Sequence, residues 1–141
     1  MAEMTTAQYF AFLIEGTRTA KVATVRPDGR PHVVPVWFVL DGDDILFSTA
    51  AGSVKGRNLR RDGRVSLCVD DERPPYAFVR VDGVAKISDD PAEVRRVSDR
   101  TALRYMGPER AAEYGELNAG PGMIALRVTP EVIVSEADVT G

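Results

Sequence analysis

Cysteine, histidine and tryptophan occur once each in 141 residues, as Cys68, His32 and Trp37. One cysteine excludes an intrachain disulfide, and one cysteine with one histidine leaves no soft-ligand set for zinc. Cys68 sits inside an apolar run and reads as a small buried hydrophobe, not a nucleophile. A Ser-His-Asp hydrolase would have to use His32, yet no G-x-S-x-G elbow accompanies it. That histidine reads as a surface or hydrogen-bonded residue. Neither G-x-x-x-x-G-K-S/T nor G-x-G-x-x-G occurs, so NTP hydrolysis and Rossmann-type nucleotide binding are not indicated. No apolar run approaches the length of a membrane span. The opening MAEMTTAQYF carries an acid and lacks the basic and apolar regions of a signal peptide, so a cytoplasmic protein is expected. Positive charge is also in deficit. At a net charge of −3 the whole-chain field draws neither nucleic acid nor an anionic membrane, so any anion site has to be built locally. The acidic run Asp70-Asp71-Glu72 lacks the order of a calcium loop and reads as solvated.

What remains is the composition of one globular domain over residues 1–141, with 44% hydrophobic and 28% charged residues. Thr5 and Gln8 form a capping-box pair, followed by Phe10, Leu13 and Ile14 on one helical face. Strands are expected over 21–26, 31–40, 45–49, 65–69, 76–87 and 123–134. The first two are joined by the turn Pro27-Asp28-Gly29-Arg30, and Asp41-Gly42-Asp43-Asp44 turns the chain again into the third. These three strands read as a meander, and the near-continuous apolar run over 31–40 predicts burial on both faces. Asp90, Pro91 and Glu93 open a helix to about Tyr105, with Val94, Val97 and Leu103 as its inward residues. Gly107-Pro108 then starts a shorter helix. Six strands in non-parallel order, with helices outside the sheet, predict a mainly β fold: an antiparallel split β-barrel.

The densest chemistry lies in FSTAAGSVKGRNLRRDGRVSL, residues 47–67. A strand stops at small residues carrying two hydroxyls, Ser48 and Thr49, and a short helix signal (53–62) follows. Lys55 stands at the start of that helix, with Arg57, Asn58 and Arg60 after it. An oxyanion placed there meets free backbone N–H groups, the positive end of the helix and an ammonium. Alternatively, the basic residues form a solvated helix face.

Three blocks carry a resemblance: VRPDGRPHVVPVWF, the FST…KGRNLRRDGRVSL segment and YAFVRVDGVAKI. Over about residues 8–135 the chain resembles the pyridoxamine 5'-phosphate oxidase-like split-barrel flavoproteins, and more narrowly their actinobacterial branch that uses the deazaflavin coenzyme F420. The resemblance implies a phosphate site at Thr49 and Lys55, and a ring wall at Pro35, Val36 and Trp37. Before it is applied, Trp37 reads as a core or dimer-interface residue; with it, the ring-wall reading stands level with that one. Asn58 matches an Asn beside the phosphate that orders the helix, and Arg57 and Arg60 are placed to meet the coenzyme's acidic tail or are simply solvated. The resemblance further implies a homodimer with sites at the subunit interface. Flavin-mononucleotide oxidases of the family tend to carry Arg-Lys where this chain has Val54-Lys55, and the C-terminal Arg-x-His of true pyridoxamine phosphate oxidases is absent. A phosphodiester with one charge needs fewer cations than a doubly ionised monoester, which favours F420 over FMN. The expected activity is hydride transfer from reduced F420 to an activated small-molecule acceptor: an enone, a quinone or a tetrapyrrole. The alternatives are an FMN-dependent oxidoreductase of the same fold, a non-enzymatic F420 or flavin carrier, and an OB-like nucleic-acid binder. The last lacks aromatics among its arginines.

Overall fold

The computed structural model describes residues 2–141. The elements run α1 (Thr6–Ile14), β1 (Ala20–Val25), β2 (Pro31–Val36), β3 (Val39–Asp41), β4 (Asp44–Ala50), α2 (Val54–Arg61), β5 (Arg64–Asp70), β6 (Phe78–Ser88), α3 (Pro91–Met106), α4 (Ala111–Leu117) and β7 (Met123–Glu136). One seven-stranded sheet has the order β2-β1-β5-β6-β7-β4-β3, with every neighbouring pair antiparallel.

Seven strands replace the six expected because the run over 31–40 breaks at Trp37-Phe38. Its two halves go to opposite edges of the sheet: β2 pairs with β1, and β3 pairs with β4. The strands expected over 21–26, 31–40 and 45–49 therefore do not form a meander. The two edge strands are covalent neighbours through two residues, so the sheet curls until its edges meet at that joint. It does not close: among the described residues no ladder links β2 to β3. The expected two-sided burial of this run is also wrong. As an edge strand, β2 alternates between exposed and half-buried positions up to Val36.

The inward-facing residues Val22, Phe47, Leu67, Val79, Val81 and Leu126 fill the curled sheet. Helix α1 packs against this core with Tyr9, Phe12 and Leu13. The expected Thr5 capping box is present, with both reciprocal bonds formed. The buried helical face, however, is one position removed from Phe10-Leu13-Ile14, and Ile14 is 61% exposed. Helix α3 covers the other face of β4 and β7, where Val94 and Val97 meet Leu46 and Ala125. Asp90 caps α3 with Pro91 in its first turn, as the sequence predicts; Glu93 pairs with Arg96, and Leu103, expected inward, is exposed. Cys68 is only half-buried, because it alternates outward on β5 between Leu67 and Val69. Among the described residues no helix is long and apolar enough to cross a membrane.

Candidate functional site: a cleft between the sheet edges and α3–α4

The site starts from the cap of α2. Ser53 Oγ accepts from the Gly56 N–H (3.1 Å) and donates to the Ala50 carbonyl (2.7 Å). Its one proton is thereby committed, so Thr49 Oγ1, 3.1 Å away, donates to Ser53. This knot folds the chain tightly from β4 into α2. Gly56 lies so close to the Ala50 and Ala51 carbonyls that a side chain there would collide with them. The first-turn N–H groups of Val54 and Lys55 have no intrahelical acceptor and remain at the open end of the helix.

A cleft of about 470 Å³ opens beside this end. Pro35, Val36 and Trp37 line one side, Ser48, Thr49 and Ala50 the end of β4, and Lys55 the mouth of α2. Thr101, Tyr114, Asn118 and Met123 complete it from α3, α4 and the loop into β7. Lys55 is the only charged residue in this lining. No carboxylate or other acceptor among the described residues pairs with it, and burial holds its ammonium below the ordinary lysine value. A half-buried cation without a counter-charge, next to a hydroxyl and a helix N-terminus, favours negative charge at this point. The indole of Trp37 lies parallel to the Tyr105 ring, with centroids 5.1 Å apart and 2° between planes. Tyr114 approaches the indole at 6.2 Å.

The profile of the pyridoxamine 5'-phosphate oxidase family matches residues 5–135. The chain belongs to this family. A curated relative, the F420H(2)-dependent biliverdin reductase of Mycobacterium tuberculosis (strain CDC 1551 / Oshkosh), is 31% identical over 131 residues, covering 91% of this chain and 85% of the relative. Among solved structures, the conserved hypothetical protein Rv2991 from Mycobacterium tuberculosis superposes with a TM-score of 0.82 at 31% identity, over 94% of this chain and 84% of that one. A protein described as an F420 reductase gives a TM-score of 0.72 at 27% identity, over 87% and 94% of the two chains.

In this pyridoxamine 5'-phosphate oxidase family member, Pro35, Val36, Trp37, Ser48, Thr49 and Lys55 come together, whereas Arg57, Asn58 and Arg60 stand apart from the cleft. Asn58 is buried, and its Nδ2 donates to Thr24 Oγ1 (2.9 Å), which ties α2 to β1. Arg61 adds a bond to Asn58 Oδ1 and another to the Val25 carbonyl. Arg57 faces a separate hollow with Arg26, Pro27 and Asp28, and Arg60 is exposed. At 100° per residue, positions 57 and 60 lie 200° and 140° round the helix from 55, so periodicity alone separates them from Lys55. Sequence reasoning missed Thr101, Asn118 and Met123, and the sequence does not choose among the phenols of Tyr76, Tyr105 and Tyr114 for a place near the ring. Tyr114 lines the cleft and Tyr105 backs Trp37, while Tyr76 lies beyond β5 in a hollow with Cys68 and Phe78. No local pattern marks the missed residues. They reach the cleft only because α3 folds back onto β3, β4 and β7.

Proposed function

We propose that this chain is an F420H2-dependent reductase that passes a hydride to an electron-poor, conjugated small molecule. The observation that carries the reading is Lys55, an unpaired half-buried ammonium that is the only charge in a cleft with an aromatic wall. One cation matches the single charge of the phosphodiester in F420; the dianionic monoester of FMN would be left with excess charge. Lys55 and the first-turn N–H groups of α2 bind the phosphate. The Thr49 hydroxyl joins them once its proton turns from Ser53 toward the anion. Pro35, Val36 and Trp37 present a flat apolar wall for the tricyclic ring and exclude water from it. Reduced F420 supplies the hydride chemistry. The relative that reduces biliverdin supports a tetrapyrrole as the first acceptor class to test, before enones and quinones.

The reading includes a homodimer. Val33, Ala23, Ser66, Asp82 and Val132 form one row across β2, β1, β5, β6 and β7 on the outward face. Val33 (63%), Val132 (48%) and neighbouring Val84 (45%) are exposed there. A second copy seated on this face would lie beside Pro35 at the sheet edge and complete the cleft. Sedimentation of the purified chain tests this directly, and a monomer at micromolar concentration would remove the interface from the proposal.

The deciding experiment is a fluorescence titration with F420 beside an identical one with FMN. Saturable F420 binding, weak FMN binding and reduction of biliverdin by the loaded protein are the expected results. Preference for FMN would move the activity to the flavin branch. Tight F420 binding without reduction of any acceptor would mark a carrier.

A further inference from the structure

The joint between the sheet edges is held by two consecutive residues of α3 that no sequence pattern singles out. Tyr105 stacks flat on Trp37, and its hydroxyl donates to the Arg18 carbonyl (2.7 Å) while accepting from the Phe38 N–H (3.2 Å). Arg104 spreads its guanidinium over three carbonyls: Phe38 (2.8 Å), Leu13 (2.7 Å) and Gly16 (3.1 Å). It also lies over the Phe38 ring, at 4.5 Å. No carboxylate pairs with Arg104 among the described residues, and burial pulls its pKa below the ordinary arginine value. An unpaired guanidinium is not kept half-buried for an ion pair. Its donors instead satisfy backbone acceptors: Phe38 at the crossover, and Leu13 and Gly16 at the C-terminal end of α1.

We infer that Tyr105 and Arg104 are positioning residues for the cofactor wall: they fix the Trp37-Phe38 joint so that the indole face is set before anything binds. This rests on the proposed coenzyme reading for what the wall contacts, but the locking itself is a property of the free protein. Both ends of the phenol are engaged, the ring with Trp37 and the hydroxyl with the backbone on either side. The indole plane is therefore tied to α3 and to the segment after α1 at once. Ordering such a wall only on binding would weaken the complex.

Because Trp37 is the sole tryptophan, its near-ultraviolet circular dichroism and fluorescence anisotropy report the joint without any ligand. Tyr105→Leu removes the stack and both hydroxyl bonds, while Tyr105→Phe keeps the stack. In Tyr105→Leu the Trp37 signals of the folded, unliganded protein are expected to change. Its F420 dissociation constant should rise about three- to tenfold, the scale of one aromatic pair. Tyr105→Phe, which keeps the stack and loses both hydroxyl bonds, should fall between the wild type and Tyr105→Leu in both readouts. If Tyr105→Leu does not fold, Arg104→Lys, which keeps the charge but loses the fork, takes its place with the same expectations. Wild-type Trp37 signals in Tyr105→Leu, or in Arg104→Lys where it stands in, would overturn the inference. So would unchanged F420 affinity in Tyr105→Leu while Lys55→Met weakens binding. If the wild-type protein binds no F420, the coenzyme reading fails separately, and the Trp37 signals alone then decide whether the joint is locked.

Discussion

Replacing Lys55 by methionine keeps the length of the side chain and removes the only charge lining the cleft. Two opposed effects follow. In the free protein the ammonium is half-buried, has no partner and is held below its ordinary pKa by desolvation, so its removal costs no interaction. Thermal stability should be unchanged or slightly raised. In the complex the same ammonium makes a charge-assisted hydrogen bond to the phosphate, worth about 1.5–3 kcal/mol. At 1.4 kcal/mol per decade, the F420 dissociation constant should rise by roughly one to two orders of magnitude. Calorimetric melting and the fluorescence titration, run on the same preparation, separate the two effects. The wild-type complex should also weaken with rising pH, starting below the ordinary lysine value of 10.5, because the group loses its proton early. Equal affinity for F420 in the variant would show that α2 does not hold the phosphate. A large loss of stability would show that Lys55 has a structural role the cleft geometry does not explain.

Asn58→Ala is expected to destabilise the fold by about 1–3 kcal/mol, since it strands the buried Thr24 hydroxyl; urea denaturation measures this, and a neutral result would deny Asn58 its strap between α2 and β1. Gly56→Ala forces a methyl group onto the Ala50 carbonyl and should cost about 1–3 kcal/mol while also weakening F420 binding; unchanged melting would contradict the tight turn. Tyr9 is buried with a hydroxyl that has no hydrogen-bond partner among the described residues, so Tyr9→Phe should gain about 1 kcal/mol in the same denaturation assay, and a loss would reveal a hidden partner. Burial, with Asp43 nearby, pushes the Tyr9 pKa from 10.0 to about 12. The unfolded chain therefore loses this proton first, so wild-type stability should fall as pH rises from about 10 to 12, and Tyr9→Phe should lack that part of the decline.

The legible parts of this chain were those decided by local chemistry. Thr5-Gln8 and Asp90 cap their helices where the sequence places them, because each cap depends on side chains within three residues. The Thr49–Lys55 corner was legible for the same reason. The break at Trp37-Phe38 was not. An apolar run looks the same whether it makes one buried strand or two edge strands, and only the sheet order divides it. Nor were Tyr114 and Asn118, which enter the cleft through the packing of α4 on α3. The inward face of α1 was misjudged by one position: the pattern at 10, 13 and 14 is helical, but so is that at 9, 12 and 13, and the core settles between them.

The joint at Trp37-Phe38 also separates two properties that usually stand or fall together. Every strand pairing of the sheet is made without it, and the segments near the two ends of this chain lie side by side, the Ala137 N–H donating to the Ala2 carbonyl at 2.6 Å. A circular permutant opened between Trp37 and Phe38 and closed across the old termini would keep all six ladders and lose the tether that holds the indole over the cleft. On the proposed reading, connectivity at one peptide bond serves ligand binding while the architecture is specified elsewhere.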